Sequence, residues 1–261
     1  MLSGYVLCYD KKMQKRDFIL EKEKAYHIIV RAIEEKSIFR APEELDRFIV
    51  QMYAANIGKP GINLTKRNVK ESCRAILDGK EISPSLVSRE HDPLVTLFSF
   101  ALVGNHYHMG LLGYEDGAIS KYLQKLNIGF AKYFNMKHER RGSLFETRFR
   151  AVALQGTRQL VALLRYINIK NVIDVYQPNW KKNGIASSKE ALHFVRTYPY
   201  SSFPDLFGRR SSKLLLDGKG KDYLREVLGS QFLLNNKIPE LYMKDIFAAS
   251  GLDEGDLEEA L

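Results

Sequence analysis

The sequence predicts an α+β fold: a ferredoxin-like (split βαβ) antiparallel sheet with one helix added at its C-terminal end. Three observations predict it. Apolar strand-like runs and helix-period segments follow one another in the order strand, helix, strand, strand, helix, strand, helix. A Gly104-Asn105 turn joins the two middle strands, and the longest amphipathic segment, 118–136, follows them directly.

Ala25–Ile33 is apolar and β-branched and reads as the first strand, and Pro42–Asn56 carries Leu45, Phe48, Ile49 and Met52 at helical spacing. Gly58–Asp92 holds Gly58, Pro60, Gly61, Gly79 and Pro84 around a helical stretch from Thr65 to Leu77, an insertion of mixed charge. Pro93–Val103 reads as a buried strand, returned by His106–Leu112 after the tight turn. In the helix from Ala118 to Met136, Ile119, Tyr122, Leu123, Leu126, Phe130, Tyr133 and Phe134 point inward and Lys121, Lys125 and Lys132 outward. Arg148–Gln155 is the fourth strand, and Thr157 caps a helix through Lys170. Helices are expected to back one face of the sheet and leave the other free. Beyond Asn171 periodicity is lost until short helical stretches near Lys221–Gly229 and Pro239–Ser250. The expected organisation is a lead-in at 1–24, a main domain at 25–208 with the 58–92 insertion, and a short acidic helical appendage at 209–261.

Composition narrows the function. The 261 residues include 40 Lys and Arg against 31 Asp and Glu, a formal charge of +9, and 45% are hydrophobic, enough for a core. The charge is concentrated. Between Lys121 and Lys170 stand eleven basic side chains against only Glu139 and Glu146, whereas Asp253, Glu254, Asp256, Glu258 and Glu259 crowd the end of the chain. A basic middle with an acidic tail points to a phosphate-binding body. The apolar run Leu94–Val103 is about half of what a membrane span needs, and Met1–Tyr9 lacks a basic segment before its apolar stretch, so no membrane partner is expected. Cys8 and Cys73 form neither a disulfide framework nor a CxxC metal site, which makes a reducing, cytoplasmic compartment the expectation.

His106 and His108 lie two apart on a strand, so both rings leave one face together with Gly110 and can reach one ion. The spacing alone is weakly specific, and a structural role for both rings is the competing reading. Tyr166 sits at the border of the stripe formed by Leu160, Leu163, Leu164 and Ile167, with Lys170 one turn on. Taken alone, it is one of 14 tyrosines that pack a ring and expose a hydroxyl.

Several segments, in order, change that reading. They are Tyr26-His27-Ile28-Ile29-Val30-Arg31 with Ser37-Ile38-Phe39, then Gly104-Asn105-His106-Tyr107-His108, then Leu123-Gln124-Lys125-Leu126-Asn127 with Tyr133-Phe134-Asn135. Next come Gly142-Ser143-Leu144-Phe145-Glu146-Thr147-Arg148-Phe149, Arg165-Tyr166-Ile167 and Tyr200-Ser201-Ser202-Phe203. Together they resemble the REP-associated branch of the bacterial HUH tyrosine transposases, over about Ala25 to Gly208. The resemblance implies that His106 and His108 bind a divalent ion, Mg2+ or Mn2+, and that Tyr166 attacks a DNA phosphodiester, leaving a 5′-phosphotyrosine and a free 3′-OH. It implies a single-stranded DNA partner bearing a hairpin, a cytoplasmic, nucleoid-associated protein, and either a monomer or a homodimer.

One position departs from the family. The usual run is Tyr-Ile-x-x-Asn-Pro, whose amide completes the metal site four residues after the nucleophile. This chain reads Tyr166-Ile167-Asn168-Ile169-Lys170-Asn171. A protonated lysine has donors and no acceptor, so Lys170 cannot ligate a metal. On an ideal helix Asn171 lies about 140° from Tyr166. Three readings are open: Lys170 supplies charge to the phosphate, Asn171 turns in as ligand, or the site is degenerate and the protein binds DNA or RNA without cutting it. A hydrolase using the two histidines and water is a further class. Arg31, Lys121, Lys125, Lys132, Arg140, Arg141, Arg148 and Arg150 are the candidate nucleic-acid contacts, each lysine equally readable as a solvated helix face. His27 and His138 read as structural.

Overall fold

A computed structural model describes residues 19–61, 65–146, 148–208 and 210–229. Strand β1 (Ala25–Arg31) leads to helix α1 (Pro42–Ile57), and β2 (Gly58–Pro60), α2 (Lys66–Leu77) and β3 (Val87–Arg89) follow. The hairpin β4 (Val95–Val103) and β5 (His106–Gly113) precedes α3 (Ala118–Lys137) and β6 (Arg150–Ala153). The four long strands form one antiparallel sheet in the order β4-β5-β1-β6, with both βαβ crossovers split by an intervening strand. This is the expected α+β, ferredoxin-like topology. The 58–92 insertion builds a separate ribbon of β2 and β3, and α2 contributes Val69, Cys73 and Ile76 to the main core. Thr65 caps α2 by accepting from the Asn68 N–H at 3.2 Å.

Register and alternation assign the two sheet faces. Ile28 pairs with Met109 and Val30 with Tyr107, and this apolar face packs on α1 and α3. Tyr107 anchors the layer, its ring 4.9 Å from that of Phe48 and its hydroxyl donating to Asn127 Oδ1 at 2.7 Å. On the other face, His27 pairs with Gly110, Ile29 with His108 and Arg31 with His106.

That second face is not free, which corrects the expectation. Helix α4 (Gly156–Arg165) runs through a π-helical segment, Tyr166–Lys170, into α5 (Asn171–Tyr176), and Tyr166 and Asn168 meet the sheet on this side. The helix therefore does not end at Lys170. Apolar side chains on both of its flanks, Leu163, Leu164, Ile167, Val172 and Ile173, are all buried, which a one-faced amphipathic reading undercounts.

Three more helices follow where periodicity was hard to read: α6 (Trp180–Asn183), α7 (Ser188–Thr197) and α8 (Phe203–Leu206). They are short, so few apolar positions mark each one. A 3-10 turn (Lys213–Gly218) and α9 (Lys219–Leu228) then return to β4, where Tyr223 lies 5.0 Å from Phe98. A bulge between Leu97 and Ser99 turns Phe98 toward Gly110, whose missing side chain makes room for the ring. The stretch Pro239–Ser250, the acidic tail and most of the lead-in lie outside the described residues. Among the described residues, no helix is long and apolar enough to cross a membrane.

Candidate functional site

The histidine face of β1 and β5 and the helix across it bring four aromatic rings together. The rings of His106 and His108 are 4.8 Å apart, as alternation on β5 requires. The Tyr166 ring meets His108 edge-on at 5.3 Å and His27 at 5.8 Å. His27 stacks on His108 at 5.3 Å, with its Nε2 3.0 Å from His108 Nδ1.

All three imidazoles are neutral near pH 7. Burial lowers His27 to about 4, and burial together with the Arg31 guanidinium lowers His106 to about 4. His108 is held well below the ordinary range by burial first, then by His27, His106 and Arg31. A neutral imidazole has one lone pair, and its hydrogen bonds decide which nitrogen carries it. His106 Nδ1 lies 2.7 Å from Asn105 Oδ1, an oxygen that only accepts, so Nδ1 carries the proton and Nε2 the lone pair. His108 Nε2 is buried and has no hydrogen-bond partner.

Below Tyr166 the helix changes pitch. The Asn171 N–H donates to the Tyr166 carbonyl, five residues back. One extra residue in the turn moves Asn171 into the place beneath Tyr166 that residue 170 holds in an α-helix. Asn171 is buried and its Nδ2 has no partner. Lys170 stays half-buried beside the phenol, its Nζ 5.7 Å from the ring centroid, and burial, with Lys181 nearby, lowers its pKa.

A buried amide holds this segment. Asn168 donates to Ser99 Oγ on β4 and to the Leu164 carbonyl, both at 2.9 Å, and accepts from Ser202 Oγ at 2.6 Å. Ser202 is tied in turn to the backbone of Phe100, whose N–H donates to its Oγ at 2.9 Å. The Tyr200–Phe203 stretch thus acts as a strut against β4 and the π turn. Asn168 and Ser202 stand in the quoted segments without an assigned role, and Ser99 was missed in the sequence. The available signal was a polar residue, Asn168, in the apolar stripe four positions after Leu164.

The basic residues divide between the two sides of the sheet. Arg31 lies on the histidine face, and Arg150, paired with Ile29 on edge strand β6, shares that face and is exposed. Lys121, Lys125 and Lys132 sit on α3, behind the sheet, where Lys125 Nζ contacts His91 Nε2 at 2.7 Å. Arg140, Arg141 and Arg148 line the connection from α3 to β6, Arg140 donating to Asn135 Oδ1 at 2.7 Å. The structure thus gathers His106, His108, Tyr166, Lys170 and Arg31, and places the α3 lysines apart from them.

Among the described residues, no group of three or more His, Cys, Asp or Glu side chains is arranged to hold a metal. The buried, partnerless His108 Nε2 and the lone pair on His106 Nε2 are donors that fit a divalent ion.

No protein-family model matches this chain, and no curated protein matches it. Among solved structures, that of a REP-associated tyrosine transposase bound to a REP hairpin is similar, with 14% identity over 76% of this chain and 87% of that chain, at a TM-score of 0.43.

Proposed function

We propose that this chain is a tyrosine-dependent DNA strand transferase that nicks and rejoins single-stranded, hairpin-bearing DNA. One observation carries the reading: the Tyr166 ring packs against His108 and His27 on the sheet face that also presents His106, with a lysine ammonium beside it. A phenol with two imidazoles and flanking cations suits attack on a phosphodiester.

In this mechanism Tyr166 Oη attacks the phosphorus, forming a phosphotyrosine bond as the bond to the 3′ oxygen breaks. The products are a 5′-phosphotyrosine and a free 3′-OH. The reverse attack by a 3′-OH rejoins DNA, with one phosphodiester exchanged for another at each step. The ordinary phenol pKa of about 10 makes tyrosine a weak nucleophile at pH 7, and the Lys170 ammonium would supply positive charge to the phosphate under attack. Arg31 and Arg150 hold the strand on this face. His106, His108 and Asn171 would hold Mg2+ or Mn2+, which supplies Lewis acidity to the phosphate when bound.

The test is covalent trapping of a hairpin-bearing single-stranded oligonucleotide with Mn2+. A denaturation-resistant band should form with the native protein and vanish in Tyr166→Phe. A band that survives in Tyr166→Phe removes Tyr166 as nucleophile. A second reading, a DNA- or RNA-binding protein without cleavage, rests on Lys170 standing four residues after Tyr166, where the resembling family has its ligand amide. It expects salt-sensitive binding and no adduct.

A further inference from the structure

His27 is an imidazole of the site that neither the phosphate chemistry nor the metal set uses. It is 3% exposed, its ring stacks on His108, and its Nε2 lies 3.0 Å from His108 Nδ1. Two neutral rings facing each other nitrogen to nitrogen share one proton across the contact, so one nitrogen donates and the other accepts. The two arrangements differ in consequence. If His27 donates, the His108 proton sits on Nε2, a buried nitrogen with no acceptor, and that N–H is left unsatisfied. If His108 Nδ1–H donates to His27, Nε2 carries a lone pair instead, which a cation can satisfy.

We infer that His27 is a positioning residue that accepts the Nδ1 proton of His108 and thereby holds His108 Nε2 as a lone-pair donor for a divalent cation. The pairing is built into the sheet. Register sets Ile29 opposite His108, and the neighbouring same-face position on β1 is His27, opposite Gly110. The room left by the missing Gly110 side chain is filled by the Phe98 ring. The two imidazoles are oriented by different second groups, His106 by Asn105 Oδ1 and His108 by His27.

This inference rests on the proposed metal-assisted chemistry, but its first test needs neither metal nor DNA. In the metal-free protein, long-range 1H–15N correlation of the histidine rings should show His108 protonated at Nδ1. Protonation at Nε2 overturns the proposal. The second test is Mn2+ binding followed by electron paramagnetic resonance. His27→Leu should weaken Mn2+ binding by about 10- to 100-fold, and His27→Gln, which restores an acceptor, should recover most of the loss. Equal affinity in native protein and His27→Leu overturns it. Should His27→Leu fail to fold, the native tautomer still decides. Native protein that shows the Nδ1 tautomer and binds Mn2+, yet forms no Tyr166 adduct, would refute strand transfer and leave the positioning role standing.

Discussion

The backbone N–H of Asn171 donates to the carbonyl of Tyr166, five positions back instead of four, and this single bond changes which side chain lies beneath the phenol. A regular helix would put Lys170 there, as spacing predicts, and a lysine offers no lone pair to a cation. The π turn passes that place to Asn171 and leaves Lys170 alongside the ring. The backbone then allows both the Lys170 charge and the Asn171 amide on the Tyr166 side of the helix, and two of the readings open in the sequence become compatible.

Asn171 and Lys170 should therefore separate in experiment. Asn171→Ala is expected to lower Mn2+ affinity by about tenfold or more, whereas Lys170→Met should leave it within about threefold. Mn2+ titration by electron paramagnetic resonance checks both. A loss confined to Lys170→Met would contradict the assignment of Asn171.

Asn168 fills three hydrogen bonds with Ser99, Leu164 and Ser202 inside the protein. Asn168→Ala deletes all of them and leaves buried hydroxyls to re-pair, so urea unfolding should show a loss of about 2–4 kcal/mol. Ser202→Ala should cost a similar amount, because Ser202 Oγ accepts from the Phe100 N–H and donates to Asn168 Oδ1, and both partners are left to re-pair.

Gly110→Ala tests the packing beside the histidines. A Cβ there would lie 2.3 Å from the Phe98 ring, which is fully buried and braced by Tyr223. Overpacking of this kind costs about 1–3 kcal/mol, and Phe98→Leu combined with Gly110→Ala should recover part of it. Thermal unfolding of the two variants is the measurement.

The pH dependence of stability should have a component from Glu44, remote from the site. Its carboxyl is buried, which pushes the pKa up, but the Lys137 ammonium, 2.6 Å away, outweighs this and holds it below the ordinary value. A depressed carboxylate pKa means that the unfolded chain binds the proton more tightly. Its contribution is present above the ordinary carboxylate value and is lost as pH falls through the folded value. Glu44→Gln should lower stability at pH 7 by about 1–3 kcal/mol and shrink the difference between variant and native protein toward pH 3. An unchanged difference across that range would show that Glu44 is not the group responsible.

The β5 histidines were legible because alternation is local: residues two apart on a strand share a face whatever the rest of the chain does. The α3 face was legible for the same reason, and Tyr122, Leu123, Leu126, Phe130 and Phe134 are buried as the periodicity requires. His27 was not legible as a partner of His108, since it lies 81 positions away and the contact depends on strand register. The covering of the second sheet face was also hidden, because it depends on where the helix docks.

What the sequence by itself determined is the kind and order of the elements and the parity of their side chains, since apolar periodicity acts within a few residues of itself. Only the tertiary structure decided the phase of the Tyr166 helix and the company of its phenol. The bonds that accompany this phase, from Asn168 to Ser99 and Ser202, come from residues 34 to 69 positions away, and no local preference can specify them.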